Sequence, residues 1–185
     1  MDLPLQDDLN ISYLYETFNR TTNSHKYFWF LSLLSAVKDA QTTCKFNDLA
    51  NEMIHTAQPY VLKQHLTLGY RDTLETAVTS VYGNKSTDPQ KLKSKILAHV
   101  PYRFLSPFAK NLTEQELNGN RRALVHKLNL IPHLPYRFTY LCCLKSKITF
   151  NPDWYKYFQK HHHLLKGWTL ELLQAYLKKR NPHAQ

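Results

Sequence analysis

The sequence predicts a mainly α protein: a compact multi-helix orthogonal bundle, with one short β-hairpin near 136–150 as the candidate exception. Three features carry that expectation. Apolar residues recur at helical spacing along most of the chain, cap residues stand directly before those runs, and 12 Tyr, 9 Phe and 3 Trp in 185 positions supply a large core.

Taken in order, residues 7–19 place Leu9, Tyr13 (or Leu14) and Phe18 near helical spacing, and "NRTTNS" at 19–24 then supplies turn residues. "SHKYFWFLSLLSAVKDA" sets Tyr27, Phe30, Leu31, Leu34 and Val37 on one stripe that Phe28 and Trp29 widen, so this helix belongs at the centre of the core. Phe46, Asn47 and Asp48 read as the entry and cap of a helix over 48–58 that Pro59 ends. Gly69 marks a turn. Asp72 caps a helix that Gly83 ends, and "STDPQ" caps the next with Pro89 in its first turn. Thr113 and Glu116 have capping-box spacing, and a helix is expected over 120–129. For "LPYRFTYLCCLKSKITFN", a hairpin around "KSK" and a helix through 136–144 fit about equally. Asn151 and Pro152 then open a further helix, and a last one follows Gly167 and ends at Pro182.

No apolar run is long enough to span a membrane, and the start "MDLPLQDDLN" has no apolar signal core. A single domain over 1–185 is expected. Three cysteines do not suggest a disulfide framework; Cys142 and Cys143, in "FTYLCCL", read as small buried hydrophobes, and a reducing cytoplasm suits them.

Charge divides the chain. Residues 1–120 hold 12 Lys and Arg against 12 Asp and Glu, whereas 121–185 hold 12 against only Asp153 and Glu171, so the whole excess of +10 falls in the last third. That polarity points to a polyanion. The candidate nucleic-acid contacts are Arg121, Arg122 and Lys127 on one predicted helix, Arg137, Lys145 and Lys147 around the proposed turn, Lys156, Lys160 and Lys166 near the next helix, and Lys178, Lys179 and Arg180 at the end of the last. The final three also complement a helix dipole.

"PYRF" occurs twice, at 101–104 and 135–138, 34 residues apart. The period is that of helical-pair arrays, yet aligning 101–134 with 135–168 leaves almost no other identity, so a repeat is rejected. In extended backbone Tyr and Phe share a face and the Arg takes the other; where the Pro opens a helix the three fan out. Both copies read as packing motifs, with Arg103 or Arg137 anchoring phosphate beside an aromatic as the sharper option. "HHH" at 161–163 points in three directions on a helix and has only Asp153 nearby, so neither a metal nor another cofactor is expected. No catalytic residue is assigned, because no phosphate loop, paired-carboxylate motif or Cys-x-x-Cys occurs.

"LYETFNRTTNSHKYFWFLSLLSAV", "NEMIHTAQPYVLKQHLTLGYRDTLE", "VPYRFLSPF" and "WTLELLQAYLKKRNP", in this order, resemble the amino-terminal helical region of bacterial HNH endonuclease-like proteins. The resemblance implies an accessory role in binding or positioning nucleic acid, duplex DNA first. In that family the HNH module and its divalent metal lie beyond the "RNP" segment. This chain ends at "RNPHAQ" without an Asp-His dipeptide, so it is expected not to cut DNA alone. The alternative is a protein-interaction or oligomerisation module, a homodimer included, with an incidental basic surface.

Overall fold

A computed structural model describes residues 2–19, 21–83 and 87–183; Arg20 of the predicted turn and Ser86 of the predicted cap lie outside them. The fold is mainly helical with a small antiparallel sheet. Its centre is α2 (His25–Lys38), ten of whose residues are buried, as expected for a helix apolar on most sides. Around it pack α3 (Phe46–Gln58), the short α6 (Val100–Arg103), α9 (Pro152–Lys160) and α10 (His162–Arg180). The first helix, α1 (Ser12–Asn19), lies over the same core through Leu14 and Phe18. No helix among the described residues is long and apolar enough to cross a membrane.

Most predicted caps are realised. Asp72 caps α4 (Thr73–Tyr82) through the amides of Leu74 and Glu75, and Asp88 caps α5 (Pro89–Leu97). Thr113 and Glu116 close a capping box on α7 (Glu114–Asn118) and Asn151 caps α9, while α8 (Arg121–Asn129) is capped by Asn120, which the sequence reading places inside the helix.

Four details depart from the sequence reading. Helix α3 begins at Phe46, because strand β1 (Thr43–Lys45) feeds straight into it and the Phe46 amide donates to the Ser146 carbonyl. Pro59 does not stop the chain: it continues as a π-type turn over Pro59–Lys63, whose wider closure spares the proline the usual clash. Gly167 lies inside α10, so the histidine triplet marks the α9–α10 junction. Cys142 and Cys143 are exposed, because they occupy the hairpin turn instead of a strand's inner face, and Cys44 alone is buried. Burial, then the charge of Asp48, pushes its thiol up to about 11, which keeps it unreactive.

The 136–150 stretch is a hairpin, β2 (Tyr136–Tyr140) and β3 (Lys147–Phe150), and β1 joins its other edge to give the order β1-β3-β2. The inner face carries Cys44, Tyr136, Phe138, Ile148 and Phe150. It meets the bundle through the two "PYRF" segments. Pro101 lies in the first turn of α6 and Pro135 precedes β2, so the Tyr-Arg pair is helical in the first copy and extended in the second. They pack on each other: Tyr102 stacks on Phe138 at 4.9 Å and Phe104 on Tyr136 at 6.3 Å. The Trp29 indole donates to the Tyr136 hydroxyl (3.0 Å), which donates in turn to the Pro101 carbonyl.

Candidate nucleic-acid interface

The outer face of the sheet follows from strand alternation. With one face buried, every second residue must point to water. Register sets these residues in two rows, Thr43–Thr149–Arg137 and Lys45–Lys147–Tyr140. A bulge between Phe138 and Tyr140 inserts Thr139, so Thr139 and Tyr140 are both exposed and Tyr140 stands opposite Lys147. The threonine hydroxyls join across the strands, Thr43 to Thr149 at 2.9 Å and Thr139 to Thr149 at 3.4 Å.

Lys45 and Lys147 stand directly opposite each other. The flanking bonds Phe46 N→Ser146 O and Phe150 N→Thr42 O make Lys45–Lys147 a non-hydrogen-bonded pair, the kind with the closer side chains. Like charges directly opposite each other destabilise a sheet. None of the seven outward residues is acidic, and no ion pair among the described residues involves Lys45, Arg137 or Lys147.

The other candidate cations occupy several places. Lys145 sits in the hairpin turn beside this face. Arg121 lies over the Tyr102 ring at 4.5 Å and donates to the Leu117 carbonyl and to His99 Nδ1, while Arg122 is exposed on the same helix. Lys127 is tied to Glu116, whose carboxyl that bond and the Thr113 amide and hydroxyl hold down to about 2. Lys156 and Lys160 are exposed one turn apart on α9, and Lys166 is exposed early in α10. Lys178, Lys179 and Arg180 end α10, roughly 18 Å along the helix from Lys166. Arg180 lies over Tyr176 and donates to the Thr22 carbonyl. The sheet thus puts Arg137 and Lys147 on one face, with Lys145 in the turn beside it, and the remaining cations are carried by α8, α9 and α10.

Two features escaped the sequence reading. Lys45 lies in the neutral part of the chain, in a strand too short to show alternation. The second is a cleft of about 1030 Å³ between α1, the turn before α2, α5 and the α6–α7 segment. His25, Lys26, Lys95, His99, Arg103 and Lys110 reach it, with Glu16 and Glu114 as its acids. Asp72 organises one wall: buried, it accepts from the Ser24 amide and hydroxyl (3.2 and 2.9 Å) and from His25 Nε2 (3.1 Å) while capping α4. Burial alone raises its carboxyl, but His25 and Ser24 outweigh that and hold it below the ordinary value.

Compared with known proteins, the chain matches no family model, no curated protein and no solved structure. The case for function therefore rests on this chain's own geometry and on the resemblance of its segments.

Proposed function

We propose that this chain binds nucleic acid and positions it, with the outer face of the three-stranded sheet as the principal contact and no phosphodiester cleavage of its own. One observation carries the reading: cations, hydroxyls and one tyrosine make up the whole outward face, and two lysines are opposed there without an acid. Lys45, Arg137 and Lys147, with Lys145 at the edge, pair with phosphates, and each contact releases counterions. The resemblance to the amino-terminal region of HNH endonuclease-like proteins supports the same accessory role beside a nuclease module, whose divalent metal that module would hold.

Duplex DNA is the first target by that resemblance. Tyr140 favours a second reading, a single strand, because its ring is 50% exposed beside the cations and offers a base a stacking surface that a duplex does not use. The interaction-module alternative has Leu5, Tyr70, Val81, Tyr82 and Leu130 as its exposed apolar groups, and of these only Val81 and Tyr82 are neighbours in sequence.

Fluorescence anisotropy with labelled duplex and single-stranded oligonucleotides at rising salt tests the reading. Binding at low salt that weakens steeply with salt is the expected result. Binding that ignores salt, or no binding at low salt, overturns it.

A further inference from the structure

The cleft is unlike the sheet face in that half-buried His25, Lys26 and Arg103 are fixed in it by hydrogen bonds to protein groups. Lys26 begins α2, and its ammonium donates to the Thr17 carbonyl at 3.0 Å, which leaves two protons for another acceptor. Across the cleft, Arg103 donates to Glu114 and to Asn118. Both acids of the lining are already engaged, Glu114 by Arg103 (2.8 Å) and Glu16 by Lys110 (2.9 Å). Among the described residues, Lys26 and Lys95 have no carboxylate within ion-pair distance.

The two histidines add fixed polarity. A guanidinium can only donate, so the Arg121 contact at 3.1 Å makes His99 Nδ1 an acceptor and puts the neutral ring's proton on Nε2. Burial and the charges of Arg121, Arg103 and His25 lower the His99 pKa, which keeps that ring neutral and a donor. His25 is held by a carboxylate, its Nε2–H donating to ionised Asp72. Thr22, Thr73 and Ser106 bring hydroxyls to the lining, and Val100, Leu112 and Leu117 form an apolar wall.

We infer that this cleft is a binding site for the phosphomonoester of a nucleotide, with Lys26 and Arg103 as its charged ligands and His25, held by Asp72, beside them. The Lys26 ammonium has donors left for the oxygens of a dianion, Arg103 adds positive charge while its two Nη atoms hold Glu114 and Asn118, and the apolar wall suits the base or sugar. The volume is of the order found for small-molecule sites. Burial and the positive charge of Arg103 both disfavour the Lys26 ammonium, and a dianion beside it offsets both. The inference is independent of the sheet face, since no residue is shared between the two.

Calorimetric titration of the full chain with a nucleoside 5′-monophosphate, the matching nucleoside and inorganic phosphate is the test. The monophosphate is expected to bind, the nucleoside to bind at least about tenfold more weakly, and inorganic phosphate to compete. Lys26→Met and Arg103→Gln are each expected to lower affinity at least about tenfold, with Lys26→Arg recovering part of it, while Lys45→Glu with Lys147→Glu leaves it unchanged. A second arm, in that Lys45→Glu, Lys147→Glu background, compares a 5′-phosphorylated with a 5′-hydroxyl oligonucleotide. Preference for the phosphorylated strand alone assigns the phosphate to a strand end and keeps the site. Equal binding of nucleoside and monophosphate, no competition by phosphate, or full affinity in folded Lys26→Met overturns the inference.

Discussion

The two "PYRF" segments send their arginines to different regions, Arg137 to the open sheet face and Arg103 to the cleft. The sheet face is solvated; its cations come from three short strands and have no built partners. The cleft is assembled from four segments beside a buried carboxylate, and His25, Lys26, Arg103 and Lys110 there are hydrogen-bonded to protein groups. An open basic face serves phosphate contact without tight geometry, whereas a built cleft selects a particular group.

The largest effect is expected on the cleft side. Asp72→Ala removes a helix cap and leaves the Ser24 and His25 groups unpaired, a loss of roughly 3–5 kcal/mol in denaturant unfolding. Because the Asp72 pKa is lowered in the fold, its contribution is present above the ordinary carboxylate range and is lost as pH falls through the folded value. A variant that melts like the parent would dissolve the picture of a built cleft.

On the sheet side, combined Lys45→Glu, Arg137→Glu and Lys147→Glu is expected to weaken oligonucleotide binding about a hundredfold. The logarithmic salt slope should flatten by roughly 2–3, with little change in melting, since exposed charges carry little stability. Anisotropy at several salt concentrations reads both quantities; an unaltered slope would erase the contrast between the regions.

Lys26→Met sharpens the comparison through pH. Burial, then the charge of Arg103, lowers the Lys26 pKa from 10.5 to about 8. Lys26 also faces His25, Glu16, Lys95, His99, Lys110 and Glu114 around the cleft. Between the two values the unfolded chain holds the extra proton, so native stability rises with pH across that window. The methionine variant is therefore expected to gain about 2 kcal/mol near neutral pH, less near pH ~10, while losing phosphate affinity. Thermal melts across that range check the sign.

Smaller effects follow. Tyr140→Ala should weaken single-strand binding by about 1–2 kcal/mol and spare duplex binding, which separates the two targets in a parallel titration. Lys127→Ala, outside both regions and tied to exposed Glu116, should shift the melting temperature by no more than about 2 °C and leave the affinity within about threefold. A large loss there would move the interface onto α8.

The difference between the regions also explains what could be read without coordinates. Local signals sufficed for the caps at Asp72, Asp88, Thr113 and Asn151, for the central place of α2 and for the aromatic burial of both "PYRF" segments, because each depends on neighbours within a turn or on alternation. Arg137 and Lys147 stood out through the charge excess of the last third. Strand β1 did not, since its three residues take their partners from beyond residue 146. The cleft was invisible for the same reason: His25 meets Asp72 across 47 positions and His99 meets Arg121 across 22, separations over which composition and periodicity carry no signal.

The most direct measurement is amide chemical-shift mapping of the labelled chain during addition of an oligonucleotide at low salt. We expect perturbations at residues 43–45, 137–140 and 147–149, whereas a nucleoside monophosphate alone should move 22–26 and 99–103. Oligonucleotide shifts confined to α9 and α10, with the three strands silent, would contradict the assignment of the sheet face.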